Sequence, residues 1–247
     1  MTIWGERSGA APHIYLIQAS RGGKLAFISR HGIKTGNFQA MLRLPGKFGK
    51  RISGIITRWQ GDRLIRTGLV LARDKPGDYA ESGVYKGRTF LMIAKEAQTR
   101  SKIAHAFDSF QGMAPPGARD FGPGGECEYP EGRLTTGGSG QLTRQLQSNG
   151  VDNYRIHEGF IPQIFQTTNI AKICFAHIDL DHYQPTVDTA KWCMERMVPG
   201  GVIVFDDYFP GRTLLATPAI EEFLQFYSGD IEFTRAAGRK LLIAKAF

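Results

Sequence analysis

The sequence predicts an α/β fold: a mostly parallel sheet with helices on both faces and an antiparallel hairpin at one edge. Three observations carry that prediction. From residue 72 onward, short apolar runs alternate with segments whose apolar residues recur at helical spacing, the pattern of a parallel α/β sheet. The run Gly201–Phe205 (GVIVF) is apolar almost throughout, as expected of a strand covered on both faces. The chain closes on two strand-like segments, 231–235 and 240–244, that turn near Gly238.

Each element can be justified in chain order. Segments 13–19 (HIYLIQA) and 24–30 (KLAFISR), separated by SRGG, read as a short hairpin, and the rest of residues 1–70 shows no clear period. Asp78–Gly83 (DYAESG) reads as a strand running into a glycine turn. Phe90, Ile93, Ala94 and Ala97 recur at i, i+3, i+4 and i+7 and predict a helix over 89–97. Ile103–Phe107 is a strand ending at Asp108, Asn153–Glu158 a further strand, and Ile173–Ile178 (ICFAHI) a strand ending at Asp179. Val187, Ala190, Met194 and Met197 predict the next helix, closed by Pro199-Gly200. Thr217-Pro218 reads as a cap and first-turn proline, opening a helix whose buried stripe is Ile220, Phe223, Leu224 and Tyr227. Between Ser109 and Gly140 lie nine glycines and four prolines in 32 residues. A loop of that length after the second strand either covers a site as a lid or is a disordered insertion.

The 247 residues are 42 % hydrophobic and 22 % charged, ordinary values for a globular chain. No apolar run is long enough to span a membrane, and the start MTIWGERSGAAPH has no apolar segment of a secretory signal. Three cysteines without a CxxC pair exclude a disulfide scaffold and a thiolate zinc site, and favour a cytoplasmic location. The net charge of +8 is uneven: residues 1–70 hold twelve Lys and Arg against Glu6 and Asp62, a net of +10. The chain is expected to divide into a basic N-terminal extension, 1–70, which either serves substrate binding or oligomerisation or is a solvated basic surface, and a main domain, 71–247.

Ligands in parallel α/β folds sit outside the carboxyl ends of the strands. Asp108, Asp179 and Asp206 stand at three such ends, and Glu81 lies in the turn after the first. In Glu81-Ser82-Gly83, the glycine lets backbone approach a ligand closely. An acid in that turn fits poorly beside a phosphate, and the full GxGxxG of a dinucleotide site is missing. Asp108 suits the hydroxyls of a ribose, or, taken alone, caps a loop. A nucleoside cofactor without phosphates satisfies both, and S-adenosylmethionine is one. Asp179-Leu-Asp181 and Asp206-Asp207 follow neighbouring strands, so four carboxylates share one edge. They repel unless a cation is present, and oxygen ligands select a hard ion: Mg²⁺ first, with Ca²⁺ or Mn²⁺ as options. The structural alternative is that two of them cap helices or pair with Arg and Lys. His177 and His182 flank this cluster as ligand, base or packing residues.

At these residues the sequence resembles the macrocin O-methyltransferase (TylF-type) family, in GDYAESGVYKG, HAFDSFQGMAPP, HIDLDHYQPT and PGGVIVFDDY. The resemblance spans roughly residues 72–225. It implies a Rossmann-like class I methyltransferase sheet and Mg²⁺-dependent transfer from S-adenosylmethionine to a sugar hydroxyl. It further implies that Glu81, Ser82, Gly83, Asp108 and Ser109 line the cofactor, that Asp179, Asp206 and Asp207 hold the metal, and that Asp181 is the general base. The chain departs from the family at Arg88, His182 and Pro185, where a small residue, Leu and Ser are common. The expected partners are a small-molecule hydroxyl acceptor, a sugar or vicinal diol, and further copies of the chain in a homo-oligomer. No membrane and no nucleic acid are expected. Two other readings compete: a nucleic-acid-binding protein on the same fold, prompted by the basic N-terminal third, and a carboxylate–metal hydrolase.

Overall fold

The computed structural model describes residues 15–18, 24–29, 32–37, 47–209 and 216–246. Two compact units divide at Ile56/Thr57. The first contains the expected hairpin, β1 (Tyr15–Gln18) and β2 (Lys24–Ser29), plus a third strand, β3 (Gly32–Asn37), in an antiparallel sheet of order β1-β2-β3.

The second unit holds a seven-stranded sheet made of β4 (Asp78–Ser82), β5 (Ala104–Asp108), β6 (Tyr154–Glu158), β7 (Ile173–Ile178), β8 (Met197–Phe205), β9 (Ile231–Ala237) and β10 (Lys240–Lys245). Its order is β6-β5-β4-β7-β8-β10-β9. The pairs from β6 to β8 are parallel, and β10 and β9 add antiparallel strands, as the sequence predicts. The helices are α1 (Lys47–Ala72), α2 (Arg88–Thr99), α3 (Gly140–Ser148), α4 (Tyr183–Arg196) and α5 (Thr217–Phe226). One core lies between the sheet and α1, α2 and α3, the other between the sheet and α4 and α5.

Helix α1 is the main element that the sequence pattern misses, and it moves the expected boundary at residue 70. Leu64, Ile65, Leu69 and Ala72 are buried in the same core as Phe175, Val202, Val204 and Leu242. Gly68 makes that fit possible: a Cβ there would meet Phe175 Cε2 at 2.9 Å and the valine methyls of 202 and 204 at 3.2 Å. Two other expectations shift. Helix α4 ends at Arg196, and Met197, Pro199 and Gly200 begin β8, with Met197 opposite Ile173. Thr217 is the first residue of α5 rather than its cap, and its hydroxyl donates to Asp207 O and accepts from Phe209 N–H.

Three neighbouring strands are tied by a polar chain. His105 Nε2 donates to Asp78 Oδ2 (3.3 Å), which leaves His105 Nδ1 to accept from His157 Nε2 (3.0 Å). Burial, with His105 and Arg155 nearby, pushes the His157 imidazole down to about 4 from an ordinary 6.5. The unfolded chain therefore takes up this proton first. Stability should be complete above about pH 6.5 and decline as pH falls through that value toward 4. Urea midpoints across that window test this; His157→Gln should flatten the slope, and an unaltered slope removes His157 as its source.

Candidate active site

The strand order reverses between β4 and β7, which opens a crevice at their carboxyl ends. Backbone bonds hold the strand exits level: Gly83 N–H donates to Phe107 O (2.9 Å), Asp179 N–H to Ser82 O (2.9 Å) and Asp206 N–H to Ile178 O (2.8 Å). Gly83 has φ +82°, and a Cβ on it would lie 1.9 Å from Asp179 O. Only glycine lets the turn pass so close to the next strand's exit.

Asp108 builds the wall of this crevice. Its Oδ2 accepts from the N–H groups of Val84 (2.8 Å) and Tyr85 (2.7 Å), and its Oδ1 from Phe110 N–H (2.7 Å). Ser109 Oγ donates to Gly112 O (2.8 Å) and accepts from Gln111 N–H (3.1 Å), so its hydroxyl shapes the following loop. Gly83, Asp108 and Ser109 line one open cleft of about 570 Å³ with Met113, Phe160, Ile161 and Leu180. Ser82 is buried in β4 and contributes its carbonyl to the Asp179 bond.

Glu81, expected to line the cofactor, is buried in β4, 1 % exposed and not among the residues lining the cleft, and meets His177 Nδ1 at 2.7 Å. His177 Nε2 lies 3.3 Å from Lys240 Nζ. An ammonium only donates, so Nε2 accepts and the imidazole proton sits on Nδ1, donated to Glu81. Burial, reinforced by Lys240, pushes His177 down to about 3, so the ring is neutral. Burial also pushes the Glu81 carboxyl well above its usual range. Its Oε2 is buried without a hydrogen-bond partner among the described residues.

The four predicted carboxylates come together in two pairs. Asp179 and Asp206 offer oxygens that, with a ring nitrogen of His177, lie within 4.8 Å of one another. Asp207, at φ +51°, turns instead to Asp181, with which it shares a hydrogen bond, and to the guanidinium of Arg239. Burial and the charge of Asp206 push Asp179 well up. Burial and Asp207 push Asp181 up to about 7, against a hydrogen bond from the Tyr129 hydroxyl. Burial also works on Asp206, but the Lys240 ammonium outweighs it and holds that carboxyl below the usual range. Lys240 pairs with Asp206 and Arg239 with Asp207.

The glycine-rich segment folds over this cluster. Asp120 Oδ1 accepts from Tyr183 N–H at the start of α4 (2.7 Å), and His182 Nε2 donates to Tyr129 O (2.8 Å). His182 thus anchors the loop beside Asp181. The sequence reading did not include Arg239, Lys240 or Tyr129 in the site. For the two cations the signal lay in the register: β10 runs antiparallel to β8, with Leu241 opposite Phe205, so Lys240 falls beside Asp206.

A family model described as a methyltransferase domain matches residues 80–208, which covers the glycine turn, Asp108 and both aspartate pairs. The chain belongs to this methyltransferase-domain family. Among curated relatives, an 8-demethyl-8-(2,3-dimethoxy-alpha-L-rhamnosyl)-tetracenomycin-C 4'-O-methyltransferase of Streptomyces olivaceus is 27 % identical over 146 residues, 56 % of each chain. A mycinamicin III 3''-O-methyltransferase of Micromonospora griseorubida is 26 % identical over 54 % of this chain and 56 % of its own. The chain thus spans about half the length of the curated relatives it matches. Among solved structures, the O-methyltransferase NovP superposes with TM-score 0.63 at 20 % identity, covering 78 % of this chain and 81 % of NovP. A calicheamicin methyltransferase gives 0.58 at 16 % identity over 83 % and 88 %. The fold is the class I methyltransferase α/β fold, a mostly parallel sheet with antiparallel C-terminal strands. No helix among the described residues is long and apolar enough to cross a membrane.

Proposed function

We propose that this methyltransferase-family protein moves the methyl group of S-adenosylmethionine to a hydroxyl of a sugar-bearing natural product, aided by Mg²⁺. The observation that carries the reading is the meeting, at one sheet crevice, of the Gly83–Asp108 cleft with a cluster of four carboxylates, of which Asp206 and Asp207 are salt-bridged to Lys240 and Arg239. The curated relatives, described as O-methyltransferases of glycosylated natural products, support it.

The residues fit both absent groups. Glu81 Oε2 is a buried oxygen without a hydrogen-bond partner among the described residues, and Gly83, two residues on, keeps the turn free of a side chain. His177, Asp179 and Asp206 form a converging nitrogen–oxygen donor set, and Asp207 stands next in the chain. When bound, S-adenosylmethionine supplies the electrophilic methyl, and Mg²⁺ supplies charge that acidifies a hydroxyl. Gly83, Asp108 and Ser109 line the cleft that would hold the cofactor, with the Asp108 carboxylate bracing its wall through the Val84, Tyr85 and Phe110 N–H groups. Asp179 and Asp206, with the ring nitrogen of His177, would hold the cation; Asp207, turned to Arg239, would have to leave that guanidinium to join them. Asp181 would take the proton of the acceptor hydroxyl. The Asp120–Tyr183 and His182–Tyr129 bonds keep the loop over that exchange.

Calorimetric titration with S-adenosylhomocysteine should give a single binding site. Methyl transfer to rhamnosylated acceptors should cease in EDTA and return with Mg²⁺. Cofactor binding with full transfer in chelator would leave a methyltransferase without the metal; no cofactor binding would remove the reading.

A further inference from the structure

The turn between β9 and β10 carries Arg239 and Lys240, and the fold holds it firmly. Gly238, at φ +57°, packs on α1 so closely that a Cβ there would lie 2.4 Å from Gly61 N and 2.5 Å from Thr57 O. Gly61 reciprocates: its own Cβ would meet Lys240 Cε at 3.0 Å. Tyr208 N–H donates to Arg239 O (2.9 Å), tying the turn to the chain leaving β8. The Lys240 stem therefore runs in a groove between α1 and the sheet, and only 7 % of the residue is exposed. Its ammonium reaches Asp206 Oδ2 and His177 Nε2. Two of the three groups that converge as metal donors are already engaged by one lysine.

We infer that Lys240 is an internal occupant of the cation site, an ammonium that neutralises Asp206 in the metal-free protein and must release it when a divalent cation binds. The inference rests on the metal reading above and deepens it. Two positive centres cannot share Asp206 and His177 without strong repulsion at such separations. The divalent ion therefore binds in exchange for the Lys240 contact, and its apparent affinity is lower than the donor set alone would give. The arrangement keeps a buried carboxylate paired whether or not metal is present, the condition under which buried charge is tolerated. It also makes cation release easier than from an unopposed carboxylate cage.

The test is Mn²⁺ binding by calorimetry and by electron paramagnetic resonance, with no turnover needed, on the wild-type chain and on Lys240→Met. Methionine keeps the unbranched stem beside Gly61 and removes the charge. Lys240→Met should bind Mn²⁺ about tenfold more tightly or better, on the scale at which ligand charge tunes such sites. Its melting temperature should fall in EDTA and be restored by Mn²⁺ more than that of the wild type. If Lys240→Met does not fold, Lys240→Gln, which keeps a donor for Asp206, replaces it with the same expectation. Mn²⁺ binding by the wild type with no gain in the variant overturns the inference and leaves the metal site standing. Absence of Mn²⁺ binding in both chains removes the metal site itself, and the exchange with it.

Discussion

Asp181→Asn should lower turnover by ~10²–10⁴-fold, the range for loss of a general base, while S-adenosylhomocysteine and Mn²⁺ bind with near wild-type affinity. Asparagine preserves the shape of the side chain and its contact with Tyr129 but cannot take a proton. The assignment separates Asp181 from Asp179 on structural grounds. Asp179 leaves β7 with its N–H bonded to Ser82 and its carboxylate close to Asp206 and His177. Asp181 stands two residues on, bonded to Asp207 and under the Tyr129 hydroxyl. Steady-state kinetics at saturating Mg²⁺ decides the matter. Recovery of Asp181→Asn activity by excess Mg²⁺ would make Asp181 a ligand, and the base would have to be another group.

Gly83→Ala should be severely damaging, since among the described glycines Gly83 has the closest approach of a built Cβ to backbone. A Cβ 1.9 Å from a carbonyl oxygen cannot be accommodated by a rotamer, because both atoms belong to backbone held by strand-end bonds. The residue would also have to keep φ +82°. Relief requires moving either the β4 turn or the β7 exit, so Asp179 and Asp181 shift with it. A loss of about 3–5 kcal/mol is the scale for a backbone clash combined with a disfavoured dihedral. The variant should melt well below the wild type and lose S-adenosylhomocysteine binding. A normal melt with normal cofactor affinity would show that the turn relaxes without cost and that Gly83 is dispensable.

Much of this architecture was legible because α/β strands and helices write themselves in period. The stripe Phe90, Ile93, Ala94 and Ala97 is fully buried, and the apolar run Ile173–Ile178 is a central strand. The aspartates at strand ends were legible because parallel strands deliver their exits to one edge. Helix α1 was not, for a definite reason. Gly54, Gly61 and Gly68 read as breakers in sequence, yet Gly61 and Gly68 are contact points where the helix lies flush on Lys240 and on the sheet. Met197 was assigned to the helix because burial is common to both periods; only its pairing with Ile173 distinguishes them. Within the site, the sequence placed the acids together but could not show how they pair. Asp207 turns from Asp206 toward Asp181 through a left-handed backbone that no spacing rule announces. The counterions come from a hairpin whose strand neighbours are set by tertiary register.

That hairpin also bears on how the protein is made. Strand β10 is not an ornament at the rim: it lies between β8 and β9 and covers the whole hydrogen-bonding edge of Val202–Phe205. It follows β8 in the chain, so a ribosome exposes β8 and all four acids before it delivers their cover. During that interval the nascent domain presents an apolar strand edge open to pairing with a neighbouring chain. The buried acids meanwhile lack Lys240 and Arg239. Completion of this sheet edge and the pairing of Asp206 and Asp207 then come together, with the arrival of the β9–β10 turn on α1.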